Sequence, residues 1–368
     1  MTQTSMFRSA MPLRRFIAAS LITALLSGCV VTPTVTPDPI TSVETVIPLD
    51  TTSPFVVYFT TPEQDLSVEN VEGVERYLVE AIDATKTSLD IAIYNFTLKS
   101  VSDAAIRAHQ RGVTVRIVME SDNMDSNSVK RMVNAGIPIV GDFQPGSMHN
   151  KFVVIDGYEV WTGSANLSAG AFYTDNNNLL RIRSTQVAEN YTVEFEEMFY
   201  DNLFGQDTKA ATPNPEVKVD GRLVETYFSP DDKAANHLIT LIQTASTRID
   251  FMAFSLTSDS IASALVARLN AGVDVRGVMD ASQVESNTGG EFANLRQDGV
   301  DVRLSQGDGL MHHKVMIIDG RYVVTGSYNF TGNAERSNDE NLLIIDDPAL
   351  AAQYEAEFEK VFAAAQQP

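Results

Sequence analysis

The apolar positions of this chain fall into short runs that alternate between two periods. Residues 89 to 94 are apolar enough for a buried strand. From Ser100 to Arg111 the residues Val101, Ala104, Ala105 and Ala108 recur at helical spacing. Gly112 ends that helix as a C-terminal cap, and Val113 to Met119 forms a second buried strand. A further helix is predicted near Asn127 to Asn134, before Gly136. Lys151 to Asp156 and Glu159 to Thr162 flank Gly157-Tyr158, which predicts a β-hairpin, and a closing helix runs near Val187 to Phe199. Strands alternating with helices predict an α/β fold with a mainly parallel or mixed sheet covered by helices.

The pattern is written twice. Leu89-Asp90-Ile91-Ala92-Ile93-Tyr94 matches Ile249-Asp250-Phe251-Met252-Ala253-Phe254, and Gly112 to Arg116 matches Gly272 to Arg276, both at an offset of 160. Met148-His149-Asn150-Lys151 matches Met311-His312-His313-Lys314, and Gly163 to Asn166 matches Gly326 to Asn329, at an offset of 163 that holds to Asn178 and Asn341. The offset changes only between these blocks, where a surface loop absorbs three residues. A duplicated unit is expected, its two copies being mixed-sheet α/β units packed with pseudo-twofold symmetry.

The two ends of the pattern are less regular. Arg8, Arg14 and Arg15 precede an uncharged, mostly apolar run from Phe16 to Leu26, too short to span a bilayer comfortably and therefore read as a signal peptide. The run ends in Leu26-Ser27-Gly28-Cys29, which resembles a bacterial lipobox, and Cys29 is the only cysteine of the chain. The resemblance implies cleavage before Cys29, acylation there, and anchoring at a bacterial cell envelope. Val30 after the cysteine, rather than Asp, favours the outer membrane where the host has one. A Thr/Pro-rich stretch follows, read as an extended tether. The organisation expected is a leader at 1–28, a tether at 29–54, a first repeat at 55–205, a linker at 206–220 and a second repeat at 221–368.

Composition adds two constraints. Hydrophobic residues at 44% and charged residues at 20% are those of a globular protein. The formal charge is −21, and removal of the leader's three arginines takes it to −24, which weighs against broad nucleic-acid binding.

Each repeat carries His-x-Lys, four residues and Asp: His149, Lys151 and Asp156 in the first, His312, Lys314 and Asp319 in the second. At period two on a strand, histidine and lysine share a face. An ammonium beside an imidazole suits a phosphate, since the lysine neutralises anionic oxygen while the imidazole attacks or donates a proton. Downstream, Ser164 and Asn166, like Ser327 and Asn329, return to the same pocket as neutral donors for charge building on nonbridging oxygens. An Asp before Gly is also a common hairpin-turn residue, so Asp156 and Asp319 are read as charge organisers rather than reactants. His313 alternates to the opposite face and is read as incidental. His109 and His237 lack partners, Trp161 is hairpin packing, and the acidic helix from Glu189 to Glu197 is a solvated face.

These motifs resemble the phospholipase D superfamily, whose signature is a duplicated His-x-Lys…Asp motif followed by Gly-Ser-x-Asn. The resemblance covers the chain from about Phe55. It implies one active site where the repeats meet, no metal ion or other cofactor, and two-step covalent catalysis in which one histidine attacks phosphorus and the other protonates the leaving alcohol. In the family a carboxylate at the Glu340 position often backs a motif histidine, and its counterpart here is Asn177. With Glu340 expected behind His312 and Asn177 behind His149, His312 is the expected nucleophile and His149 the general acid. The leading expectation is phospholipid head-group hydrolysis beside a membrane. A nonspecific endonuclease, a cardiolipin synthase-like phosphatidyltransferase and a scaffold with a dead site are the alternatives.

Overall fold

The computed structural model describes residues 53–60, 62 and 73–366. The leader, Cys29 and all but the last two residues of the 29–54 tether lie outside them. In chain order the first repeat contains β1 (Phe55–Phe59), α1 (Glu75–Ala84), β2 (Ser88–Ile93), α2 (Lys99–Gln110), β3 (Thr114–Glu120), α3 (Asn127–Asn134), β4 (Ile139–Asp142), β5 (Lys151–Ile155), β6 (Glu159–Gly163), α4 (Ala169–Tyr173), β7 (Asn178–Arg183) and α5 (Thr185–Asp201). The second contains β8 (Glu216–Val219), β9 (Arg222–Ser229), α6 (Ala234–Thr244), β10 (Arg248–Ala253), α7 (Asp259–Asn270), β11 (Asp274–Met279), α8 (Ala281–Ser286), α9 (Phe292–Gln297), β12 (Asp301–Leu304), β13 (Lys314–Ile318), β14 (Tyr322–Gly326), α10 (Gly332–Arg336), β15 (Glu340–Asp346) and α11 (Pro348–Ala364).

The first sheet has the order β1-β7-β6-β5-β2-β3-β4, and the second has β12-β11-β10-β13-β14-β15-β9-β8. Reversed, the second order is the first with one strand added. In each, three strands are parallel at one edge (β2, β3, β4 and β10, β11, β12) and the others pair antiparallel. The fold is therefore the expected pair of mixed-sheet α/β units. The added strand, β8, begins inside the stretch expected to be linker. Val217 and Val219 are buried while Glu216 and Lys218 are exposed, a two-residue period. Asp220 and Gly221, both at positive φ (49° and 81°), then make the tight turn into β9.

The central strands β5 (Lys-Phe-Val-Val-Ile) and β13 (Lys-Val-Met-Ile-Ile) are buried at every position because both faces of each sheet are covered. One face of the first sheet packs on α1, α2 and α3, and one face of the second on α6 and α7. The other two faces share a single core with α5 and α11, through Tyr191, Phe195, Tyr354 and Phe358 among others. The closing helices start on caps: Ser184 accepts from the Val187 N–H, and Asp347 from Ala349 and Leu350 ahead of Pro348. Each helix is also tied to its sheet by charge. Arg116 grips Asp90 with both arms at 2.7 Å and reaches Glu196 of α5, while Arg276 pairs with Asp250 and Glu359 of α11. Among the described residues no helix is long and apolar enough to cross a membrane.

The repeats are stitched through backbone bridges related by the pseudo-twofold. Met148 bridges to Asp339, and Met311 to Asn176. The His149 N–H donates to the Asp339 carbonyl and the His312 N–H to that of Asn176, each at 3.0 Å.

Asp156 and Asp319 do not belong to this junction. Each sits at positive φ (53° and 55°) in an Asp-Gly turn at the far end of β5 or β13. Five strand residues place Asp156 roughly 16 Å from Lys151. Its carboxylate accepts from the backbone N–H groups of Lys86, Thr87 and Ser88 and from the Thr87 hydroxyl. Asp319 does the same for Ser246, Thr247 and Arg248. The turn role therefore holds, and the place in the site expected for them does not. Burial pushes the Asp156 carboxyl up, but the donors from Thr87, Lys86 and Ser88 outweigh it and hold it below the usual range. Asp156→Ala is expected to lower stability by about 1–2 kcal/mol and leave kcat unchanged. Because the folded-state value is depressed, the wild-type advantage should be complete above about pH 4 and fade as pH falls through the lowered value. Thermal melting across pH checks both.

Candidate active site

The junction lies at the ends of the strands that carry the motifs. Ile93 at the end of β2 faces Lys151 at the start of β5, and Phe152 faces Thr162 of β6. Tyr94, Lys151, Ser164 and Asn177 thus share one end of the first sheet, and Phe254, Lys314, Ser327 and Glu340 the same end of the second. The histidines are not strand residues, as the period-two reading had them. His149 and His312 occupy the lead-ins to β5 and β13, where the only backbone ladder on offer is the other repeat.

That placement crosses the partners. His149 Nδ1 lies 2.8 Å from Glu340 Oε2, and His312 Nδ1 lies 2.9 Å from Asn177 Oδ1. The expectation that Glu340 backs His312 and Asn177 backs His149 is corrected: Glu340 follows the Asp339 bridge to His149, and Asn177 follows the Asn176 bridge to His312. The hydrogen positions follow from the acceptors. A carboxylate opposite His149 requires an Nδ1–H there. Asn177 donates its Nδ2 to the Ala171 carbonyl at 2.9 Å, so its Oδ1 accepts, both from the Ser164 hydroxyl at 2.8 Å and from the His312 Nδ1–H. Both imidazoles are therefore left with Nε2 free for chemistry.

Lys151 and Lys314 are 2% and 1% exposed, and each donates Nζ to the carbonyl of the histidine two residues before it, at 2.8 and 2.9 Å. Two aromatic residues complete the walls. Tyr94 meets His149 edge-on at 5.0 Å and Phe254 meets His312 at 4.5 Å. The lysine ammonium groups lie 5.3 and 4.6 Å from the centres of the same rings. Tyr94 and Phe254 close the first matched block of the repeat, a signal present in the sequence to which no role was attached.

Burial of so much positive charge depresses every basic group. Burial pushes the His149 imidazole down to about 4, with Glu340 pulling it up and Lys151 adding to the fall. Burial also carries His312 well below its ordinary value, and the neighbouring charges of Lys314, Lys151 and His149 add to this. Lys151 is pushed down to about 7 by burial, against the pull of Glu340. Lys314 falls well below the usual lysine range through burial and the Lys151 charge. Each side chain of one repeat feels those of the other, as in a single composite site.

The remaining residues divide. Ser164 acts on Asn177, as above. Ser327 Oγ accepts from the Asn341 backbone N–H at 3.0 Å and fixes the strand start that presents Glu340. Asn166 and Asn329 are half-buried just beyond β6 and β14, and their carboxamide oxygens have no hydrogen-bond partner among the described residues. Two readings are corrected by burial. Glu194, placed on a solvated face, is 5% exposed and accepts from Asn150 at 3.2 Å, because α5 lies in the shared core. His313, read as incidental, is fully buried against Asn178. No group of three or more His, Cys, Asp or Glu side chains among the described residues is arranged to hold a metal ion.

The family model described as "Cardiolipin synthase, PLD-like domain" matches residues 78–199 and 238–362, one stretch in each repeat. The chain belongs to this family and is a phosphodiesterase of the phospholipase D superfamily. It is similar to a mitochondrial cardiolipin hydrolase of Chlamydomonas reinhardtii, 30% identical over 178 residues that cover 42% of this chain and 79% of that protein. A phospholipase D of Rickettsia prowazekii (strain Madrid E) is 34% identical over 131 residues, which are 36% of this chain and 63% of that protein. In fold alone, a phosphatidylserine synthase of Haemophilus influenzae Rd KW20 matches with a TM-score of 0.65 at 14% identity, covering 85% of this chain and 89% of that one.

The depressed lysines give a testable sign. A phosphodiester anion favours their charged forms, so above about pH 7 binding must take up a proton at Lys151. The Kd for dimethyl phosphate, whose own charge is constant from pH 6 to 9, should rise with pH above 7 by up to about tenfold per unit for each lysine recharged. Calorimetry in two buffers would reveal the proton uptake, and a Kd flat across that range would contradict the argument.

Proposed function

We propose that this chain hydrolyses phospholipid diesters without a metal ion, with His149 as nucleophile and His312 as general acid and then base. The observation that carries the role assignment is the crossed pairing of Glu340 with His149. A carboxylate at Nδ1 stabilises the cation that His149 becomes when its Nε2 bonds to phosphorus. The neutral amide of Asn177 gives His312 no such stabilisation, so a proton on its Nε2 is more readily given up. On the same reasoning that the sequence suggested, the roles are the reverse of those first expected.

In the first step the His149 Nε2–phosphorus bond forms and the bond to the leaving oxygen breaks, as His312 Nε2–H passes its proton to that oxygen. In the second, His312 Nε2 takes a proton from water, the water oxygen bonds phosphorus, and the phosphorus–nitrogen bond breaks. For a phospholipid the products are phosphatidic acid and the head-group alcohol. Lys151 and Lys314, with Asn166 and Asn329, are the groups suited to the nonbridging oxygens. Substrate anion close to the lysines offsets their push on His312 and favours the protonated form that the first step needs.

A lipid substrate is supported by the activities for which the two relatives are named, by the acidic chain, and by the lipobox-like Leu26-Ser27-Gly28-Cys29. We propose that acylated Cys29 holds the enzyme at a bacterial cell envelope, the Thr/Pro-rich segment letting the folded part reach lipid. Activity should be assayed in chelator on cardiolipin, phosphatidylcholine and DNA side by side. The expected result is phosphatidic acid release from lipid, abolished in His149→Asn and lowered about 10²–10⁴-fold in His312→Asn. DNA cleavage in place of lipid cleavage would move the substrate, product transfer to glycerol would make the enzyme a transferase, and dependence on a metal would overturn the mechanism. Cys29→Ser should move the chain from the membrane to the soluble fraction, and unchanged membrane association would refute the anchor.

A further inference from the structure

His313 stands between His312 and Lys314, is fully buried, and takes no part in the chemistry described above. Its surroundings become informative when followed outward from a group whose polarity is not in question. The Ala171 carbonyl can only accept, so Asn177 Nδ2 donates to it and Asn177 Oδ1 accepts. That oxygen takes the Ser164 hydroxyl proton and the His312 Nδ1–H. With its proton committed, Ser164 Oγ accepts from Asn178, from the backbone N–H at 3.1 Å and from Nδ2 at 3.4 Å. Asn178 Nδ2 is therefore a donor on its other side too, where it meets His313 Nδ1 at 3.1 Å. The other half of that amide agrees: Asn178 Oδ1 receives the hydroxyls of Thr325 at 2.9 Å and Tyr354 at 3.2 Å. His313 Nδ1 must then be bare, and its proton must sit on Nε2.

The first repeat repeats this wiring with a different residue. Asn150 occupies the position of His313. Its Oδ1 accepts from Asn341 Nδ2 at 2.9 Å, Asn341 Nδ2 also donates to Ser327 Oγ at 3.3 Å, and Asn150 Nδ2 donates to Glu194 of α5 at 3.2 Å. In the second repeat Glu357 of α11 takes the place of Glu194, its Oε1 lying 3.7 Å from His313 Nε2. An asparagine offers one acceptor and one donor on opposite sides, and a neutral imidazole with its proton on Nε2 offers the same two in the same order.

We propose that His313 is a positioning residue for His312, ending the chain Asn178–Ser164–Asn177 that holds the His312 Nδ1–H, and that it does so only as the neutral Nε2–H tautomer. A proton on Nδ1 would set two donors face to face at Asn178 and release the chain. The groups facing His313 are Glu357 and Lys360 of α11, Lys314 of β13, its neighbour His312, Asn178 of β7, and the Phe59 ring, edge-on at 6.1 Å. Burial holds the imidazole below its ordinary value, with Glu357 opposing and Lys314 and Lys360 assisting, which keeps it neutral at pH 7. This inference rests on the reading of His312 as general acid for its effect on rate, but not for its tautomer.

The test therefore has two readouts on the full chain. The first is ¹⁵N NMR of the wild-type protein labelled at its five histidines, assigned with His313→Asn and His312→Asn. At pH 7 His313 should be neutral with its proton on Nε2, and His312 should carry a proton on Nδ1. A charged His313, or one protonated on Nδ1, would overturn the proposal without any activity measurement. The second is kcat and KM on a short-chain phosphatidylcholine, whose choline oxygen needs a proton to leave, for His313→Asn, which copies the first repeat, and His313→Leu. His313→Asn should keep kcat within about threefold. His313→Leu should lower it about ten- to a hundredfold with KM unchanged and lose the His312 Nδ1–H signal. Equal losses in both variants, or no loss in His313→Leu, would show a packing role only and contradict the proposal. Should His313→Leu not fold, the tautomer and His313→Asn decide. A wild-type chain inactive on this lipid would count against the proposed function and leave the tautomer to decide the wiring.

Discussion

His149 and His312 are each held at Nδ1 by the other repeat, and the rest of the site depends on that crossing. Glu340 reaches His149 and Asn177 reaches His312 because the loops that lead into β5 and β13 pair their backbones with the residues just ahead of β15 and β7. A single repeat contains a histidine, a lysine and a serine-asparagine pair, but not the group that fixes its own imidazole. Two copies are thus needed for one site, and the shared core of α5 and α11 keeps them in register.

The second constraint is electrostatic. Two imidazoles, that of His149 14% exposed and that of His312 buried, meet two buried ammonium groups at one junction, with Glu340 as the carboxylate in direct contact with an imidazole. Burying like charges is costly, and that cost is what depresses the values of His149, Lys151, His312 and Lys314. In the proposed reaction a phosphodiester brings negative charge to the place where more of it next builds up, so binding and transition-state stabilisation would draw on the same groups. The aromatic walls Tyr94 and Phe254 allow the lysines to wait there, since a ring face tolerates a cation that bare hydrocarbon would not.

Much of this was legible in the sequence. The offsets of 160 and 163 disclosed the duplication, and the polar motifs that kept their spacing disclosed the phosphate chemistry. What repeats cannot disclose is which copy faces which. Matching Glu340 with Asn177 identifies equivalent positions, yet whether each acts within its own repeat or across the junction is a property of packing. That is why the pairing came out crossed, and why the roles proposed for the histidines differ from those first expected. Asp156 and Asp319 show the opposite hazard, since a motif shared by both repeats can be kept for a turn as well as for a reaction. His313 was misread because alternation tells which residues point away from one face, and here the other face is also interior; for Glu194 the acidic run suggested a solvated helix face, but α5 lies in the shared core. In β8 the missed signal was local: Asp220-Gly221 after alternating Val217 and Val219 is a hairpin written in four residues.

The central claim is that the crossed carboxylate makes His149 the nucleophile, and the most direct measurement is the location of the covalent intermediate. The full chain and its His312→Asn variant would be mixed with a short-chain phosphatidyl p-nitrophenol, whose head group leaves without a proton, quenched in alkali, where phosphohistidine survives, and mapped by peptide mass spectrometry. The account predicts a phosphoacyl adduct on His149 that accumulates in the variant, whose second step lacks its base. An adduct on His312 in the wild-type chain, with His149 unmodified, would contradict it.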